Sequence, residues 1–376
     1  MIFHAERAAS PTGQRSWAVV DSQYRLHKEG CLFLASLRTL GRSVNTERAY
    51  ATRVALYLTW CDVEGLDWRR TGMLDLARFL RWLVDVPLPE RGASSTTPRF
   101  RTQKTANAVM TAVCEFFRFA AREEWIDPVL VERMSTPKYL HWLPPGFETG
   151  ENGQYRRVKA KMIKFAVGED PVESLRPQDI ETLVGLASHA RDKFLIALLG
   201  CTGIRIGEAL GLRREDMHFL ADSQALGCRQ PGPHIHVRRR SDNANGALAK
   251  SRYPRTVPVV PNVAAHYTDY QYERDAVPEA AGCDMVFVNL FQAPLGHPMK
   301  YSSAKELFDR LGRAAGITAR PHMARHGAAT AWIRAGVPVD VVRELLGHVS
   351  PASLAPYLHP TGEDLRAAVE LVAVKG

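Results

Sequence analysis

The stretch TGIRIGEALGL, Thr202–Leu212, sets an arginine at the head of an otherwise apolar helical pattern. A charged side chain entering such an element is costly unless it is paired or aimed into a site. Glu208 follows Arg205 by one turn on the same face. An intrahelical ion pair is the plain reading, and a polar site the sharper one. Upstream, SLRPQDIETLVGLASHA (174–190) and RDKFLIALLGC (191–201) carry helical periodicity up to a Thr202-Gly203 turn.

Downstream, HIHVRRR (234–240) and SRYPRTVPVV (251–260) alternate like strands, and the Asn245-Gly246 pair between them signals a turn. The expected element is a basic β-hairpin with Lys250 opening its second arm, where a lysine is ordinarily just solvated. Helices are expected again at 301–316, 321–336, 338–348 and 362–373. RPHMARHG places Pro321 at a helix start and puts His322 and Arg325 on one face, a pair able to hold a phosphate. His322 and His326 could alternatively hold a metal, but no third ligand is spaced to complete that site. In ELLGHVSPASLAPYLHP (344–360), Tyr357 stands between Pro356 and Leu358, with His348 before it and His359 beyond. Taken alone, that tyrosine reads as a packed aromatic at a helix end.

Toward the N-terminus, NTERAYATRVALYLTWCDVEG sets Tyr50, Val54, Leu58 and Cys61 at helical spacing, with Asn45 or Thr46 as cap. The segments 73–86 and 102–125 repeat the signal around a Pro/Ser/Thr/Arg-rich loop, so roughly the first 130 residues read as all-helical. Pro144, Pro145 and the glycines at 146, 150 and 153 then break the periodicity. The expected division is a helical domain over 20–134, a linker over 135–172 and a second domain over 173–376. The class is mainly α with a small β-sheet (α+β). Arg156, Arg157, Lys159, Lys161 and Lys164 crowd the end of that linker, and both a solvated face and a phosphate-tracking strap fit them.

The chain has 376 residues, enough for two cores, and a formal charge of +9, which favours a polyanionic partner. Its six cysteines show no CxxC pair and no metal spacing, and mostly sit in apolar runs; they read as reduced core thiols of a cytosolic protein. The apolar run FLIALL (194–199) is far too short to span a bilayer, so no membrane role is expected.

In chain order, Arg205, Lys250, His322, Arg325, His348 and Tyr357 resemble the active-site set of the tyrosine recombinases, the family of phage-type integrases and Xer-like resolving enzymes. Residues 202–212 are similar to the family's TGxRxxExxxL box, Lys250 with Pro258 to its hairpin lysine, 322–326 to HxxRH and 345–359 to LLGHxxxxxxxxYxH. More loosely, the N-terminal half resembles the family's helical core-binding (SAM-like) domain, so the likeness runs from residue 20 onward.

The resemblance implies a site-specific DNA recombinase of integrase or transposase type, cutting and rejoining strands through a 3′-phosphotyrosine. Tyr357 would be the nucleophile, Arg205 and Arg325 the phosphate clamp, and His348 a further donor to the phosphate. His322 would help deprotonate the tyrosine, Lys250 would protonate the leaving 5′-oxygen, and Glu208 would orient Arg205 or His322. No metal and no cofactor are expected, since the arginines stabilise the charge. Double-stranded DNA would be the partner, with Arg156, Arg157, Lys159, Lys161, Arg238, Arg239 and Arg240 on its backbone. Two synapsed sites would be held by a homotetramer in the cytoplasm, associated with the nucleoid. A type IB topoisomerase-like relaxing enzyme and a non-catalytic DNA-binding regulator are the alternatives. Pro351 and Pro356 depart from the family pattern, as does the long loop before Lys250.

Overall fold

The computed structural model describes residues 2–9, 13, 15–89, 97–139, 157–168, 173–220, 222–224, 227–240, 242–249, 251 and 253–347, with side chains in the strand at 157–161 described from Lys159. The described residues up to 168 form one compact unit, and those from 173 onward another.

The first unit opens with a hairpin that helical periodicity does not announce: β1 (His4–Ala9) pairs antiparallel with β2 (Arg15–Val20), His4 opposite Val20. Helices α1 (Lys28–Thr39), α2 (Val44–Val63), α3 (Met73–Asp85), α4 (Gln103–Arg122) and α5 (Pro128–Arg133) follow. Ser43, rather than Asn45 or Thr46, caps α2; its hydroxyl accepts from the Thr46 N–H at 3.2 Å, which starts the helix earlier than expected. The core is aromatic. Tyr57, Trp60, Phe79, Phe116 and Phe117 are all buried, and each such side chain contributes about 1.5–3 kcal/mol.

The described parts of the presumed linker belong to this unit. β3 (Ser135–Tyr139) pairs antiparallel with β4 (Arg157–Lys161), Ser135 opposite Lys161, and Ile163 enters the aromatic core. The Asn107 amide donates to the Phe165 carbonyl at 3.0 Å and accepts from its N–H at 2.8 Å. Strand pairing across a long sequence gap is invisible to a local window, which is why 135–172 reads as a plain linker.

The second unit is built around α7 (Ala190–Thr202), whose residues Phe194 to Leu199 are buried on every side. It is preceded by α6 (Pro177–Leu186) and followed, after Gly203, by the short α8 (Ile206–Ala209). Gly203 is left-handed, with φ +60°, and a Cβ there would come within 3.1 Å of Leu346 and Trp332, so only glycine fits. A three-stranded antiparallel sheet has the order β5 (Met217–His218), β6 (His234–Val237), β7 (Arg255–Pro258). Both hairpin strands are shorter than expected. The intervening residues 242–249 are pinned coil: Asn245 Nδ2 donates to the Leu210 and Met299 carbonyls at 2.9 and 2.8 Å, and Gly246, with φ +71°, makes the turn.

Helix α9 (Pro261–Asp275), absent from the sequence reading, packs on α7; its buried Arg274 donates to the carbonyls of Met285, Val286, Ala280 and Cys283. Helices α10 (Tyr301–Ala314), α11 (Pro321–Arg334) and α12 (Val339–Leu346) follow. The helix expected over 362–373 lies outside the described residues. All six cysteines are free thiols, but only Cys61 and Cys114 are buried and Cys201 is exposed, which corrects the core-thiol reading for most of them. Among the described residues no helix is long and apolar enough to cross a membrane.

Candidate active site

Arg205 is the N-cap of α8. Its backbone N–H donates to Glu208 Oε2 at 2.9 Å and its Nη1 to Oε1 at 3.0 Å, so the expected i, i+3 pair forms. The Glu208 side chain is fully buried whereas that of Arg205 remains 22% exposed. A second arginine explains how the carboxylate stays charged: Arg255, at the start of β7, donates from Nη2 to Oε2 at 2.8 Å and from Nη1 to Oε1 at 3.3 Å. Burial by itself would raise the Glu208 pKa, but hydrogen bonds and charge from Arg255, with those from Arg205, outweigh it and hold the carboxyl below its ordinary range. Among the described residues, Arg205 Nε and Nη2 make no hydrogen bond. The buried acid thus fixes one edge of the Arg205 guanidinium, a fork whose geometry matches a phosphate or carboxylate.

Arg325 stands on α11, almost wholly buried. Its Nη1 donates to the Gly203 carbonyl and its Nη2 to the Leu346 carbonyl, both at 2.7 Å. Arg255 Nε donates to the neighbouring Leu345 carbonyl at 3.0 Å. Two arginines therefore hold the end of α12, where Gly347 turns the chain with φ +63° immediately before position 348. At Gly347 the left-handed φ favours glycine, and at Gly327 a Cβ would meet the Leu175 carbonyl at 1.8 Å, so that close backbone approach requires glycine. His322 is exposed on the first turn of α11, its ring centroid 4.1 Å from that of His326. Burial first, then the charges of His322 and Arg325, push the His326 pKa down to about 4.

Arg205, Glu208 and Arg325 thus converge on the α7–α8 turn, and Arg255 joins them. The sequence reading missed Arg255; an arginine opening a strand just beyond the basic loop was its only signal. Lys250, His348 and Tyr357 lie outside the described residues.

The basic residues expected on DNA divide. Arg240 is spent on acids: Nη1 and Nη2 bond both oxygens of the buried Asp216 at 2.7 and 2.9 Å, and Nη2 also reaches Glu215 at 2.7 Å. Arg238 pairs more loosely with Asp216 at 3.6 Å. Arg239 and Lys159 are exposed, and Lys161 Nζ donates to Thr111 Oγ1 at 2.8 Å. Two carboxylates thus share the Arg240 guanidinium. Arg156 and the side chain of Arg157 lie outside the described residues.

Comparison with known proteins fits this geometry. Residues 173–363 match the model of the phage integrase family, and residues 32–124 match that of the phage integrase N-terminal SAM-like domain. The chain belongs to the phage integrase family. The match takes in every residue of the site. Among curated relatives, transposase A from transposon Tn554 of Staphylococcus aureus is 28% identical over 356 residues, covering 93% of this chain and 92% of that protein. The tyrosine recombinase XerD of Lacticaseibacillus casei is 25% identical over 311 residues, covering 80% of this chain and 90% of its own. In fold, the chain is similar to the Tn1549 transposon integrase, solved in complex with a circular intermediate DNA, with a TM-score of 0.60 and 18% identity over 92% of this chain and 99% of that one.

Proposed function

We propose that this integrase-family chain is a site-specific DNA recombinase acting on double-stranded DNA as a homotetramer across two synapsed sites. The observation that carries the reading is the buried Glu208, which orients Arg205 beside the Arg325 anchor, in a chain whose later segment supplies Tyr357. Arg205 and Arg325 neutralise the scissile phosphate as charge builds on its non-bridging oxygens, with His348 adding a donor.

Tyr357 Oη attacks phosphorus and passes its proton to His322. The bond from phosphorus to the 5′-oxygen breaks, and Lys250 protonates that leaving oxygen. The phosphotyrosine keeps the diester's energy, so a 5′-hydroxyl from the partner strand reverses the same steps and reseals. For the DNA backbone we propose Lys159, which is exposed in the first unit, and Arg239, which is exposed in the second, together with Lys161, Arg238 and, by sequence, Arg156 and Arg157.

The test is Tyr357→Phe on a nicked suicide substrate. We expect retained DNA binding and no denaturant-stable adduct; an adduct formed by that variant overturns the nucleophile assignment.

A further inference from the structure

The face of the β5–β6–β7 sheet turned away from the core carries a cluster that the recombination chemistry does not use. Along β6 the side chains alternate: Ile235 and Val237 enter the hydrophobic core, so His234 and His236 share the opposite face. His218 on β5 pairs directly with His234, which brings a third imidazole alongside. Cys228, from the loop joining β5 to β6, closes the group.

The hydrogen bonds orient these rings as metal ligands are oriented. A carbonyl oxygen only accepts, so the Glu215 carbonyl, 3.2 Å from His218 Nε2, fixes the proton there and leaves a lone pair on Nδ1. Likewise the Gly232 carbonyl, 2.7 Å from His234 Nδ1, leaves the lone pair on Nε2. His236 Nδ1 lies 3.3 Å from Thr256 Oγ1, its cross-strand partner, which leaves Nε2 facing the group. Each imidazole is thus held by an outer oxygen through its far nitrogen, the arrangement that aims a histidine at a metal.

The separations also fit. Cys228 Sγ lies 3.3 Å from His234 Nε2 and 3.4 Å from His236 Nε2, and those two nitrogens are 3.2 Å apart. With zinc bonds of about 2.0–2.1 Å to nitrogen and about 2.3 Å to sulfur, the edges of a tetrahedron are about 3.3–3.6 Å. All four ligand atoms fall within 4.8 Å of one another.

A metal-free account leaves a remainder. The thiol proton and one imidazole proton can link Cys228, His234 and His236 by hydrogen bonds, but His218 Nδ1 is buried with no hydrogen-bond partner among the described residues. An orphaned buried acceptor is destabilising, and a fourth bond to a metal would satisfy it.

We propose that His218, Cys228, His234 and His236 bind one divalent transition-metal ion, zinc by ligand chemistry, as a closed structural site. Three imidazoles and a thiolate suit zinc and exclude magnesium or calcium, which take oxygen ligands. Binding expels the thiol proton, and four protein ligands leave no open position for catalysis. The ion would staple the loop carrying Cys228 onto the sheet from which the chain leaves at Val237 toward residues 242–249 and Lys250. Sequence reading saw no metal spacing because the ligands follow H-x9-C-x5-H-x-H, with the two-residue strand period, not a paired-cysteine one, bringing two of them together.

The experiment uses the untagged full-length chain. Elemental analysis after dialysis should find one zinc per chain. Titrating the chelator-stripped protein with cobalt should saturate at one equivalent, with the visible bands of tetrahedral cobalt and a thiolate-to-metal charge-transfer band. Cys228→Ser should abolish the charge-transfer band and weaken binding by roughly tenfold or more, beyond the lower end of what losing an outer-shell partner costs. Cys201→Ser, at an exposed thiol, should change neither. Zinc should raise the Tm of stripped wild type. A wild-type chain that carries no zinc and gives no cobalt spectrum overturns the proposal, as does a spectrum unchanged in Cys228→Ser. Should that variant misfold, the wild-type cobalt spectrum decides alone, since a charge-transfer band requires a cysteine ligand.

Discussion

Glu208 and Asp216 are both fully buried carboxylates gripped by arginines, yet the two clusters face different tasks. At Glu208 the buried Arg255 side chain bears most of the pairing, and among the described residues Arg205 bonds only through its backbone N–H and Nη1. At Asp216 the roles are reversed: Arg240 saturates the acid with Nη1 and Nη2 and takes Glu215 as well. In the proposed mechanism, equal formal charges in the sequence therefore become a ligand clamp in one place and a structural rivet in the other. What separates them is how closely another arginine meets the acid: Arg255 bonds Glu208 at 2.8 Å, whereas Arg238 stays 3.6 Å from Asp216.

Removing an acid should have the largest effect. Glu208→Gln leaves Arg255 buried without its counter-ion, and we expect a loss of about 3–5 kcal/mol in chemical denaturation together with lost cleavage. A variant of near wild-type stability would show that Glu208 is not the charge that organises the site.

Arg205→Ala should slow cleavage of a suicide substrate by ~10²–10³ while the Tm moves little, and lysine should rescue it poorly because a point charge cannot reproduce the guanidinium fork. Arg240→Ala should do the reverse, lowering the Tm with the cleavage rate nearly intact. If both variants behave alike in the two assays, the distinction between clamp and rivet fails.

The salt dependence of DNA affinity should separate spent from unspent charges again. Lys159→Ala or Arg239→Ala should each flatten the log–log slope by about 0.9 for each phosphate no longer neutralised, and Arg240→Ala should leave it unchanged.

The smallest effect is expected at His326. Its pKa is pushed from 6.5 down to about 4 in the folded chain, so between those values the unfolded state binds the extra proton. Its contribution to stability is therefore complete above pH 6.5, falls as the pH drops toward 4, and is lost below that. His326→Asn should make Tm less steep in pH across that window; an unchanged profile assigns the acid sensitivity to other groups.

Helices α3, α4 and α10 are legible in the chain itself, because their apolar residues recur at a helical period that any local window detects. The Arg205–Glu208 pair is readable for the same reason, being one helical turn long. Ser43 as the true cap, the β3–β4 pairing and α9 are not, the first two because a cap hydrogen bond and a long-range strand partner leave no periodic trace.

The class, the helical cores and the order of the chemistry-bearing residues follow from the chain alone, since periodicity, residue type and spacing are its own properties. Which arginine is spent and which is kept was settled in three dimensions: Arg255 meets Glu208 across a separation of 47 residues, and Arg240 meets Asp216 across 24. Strand pairing likewise gathered His218, Cys228, His234 and His236. A hydrogen bond or a metal bond depends on distance in space, and folding brings close what the chain keeps far apart.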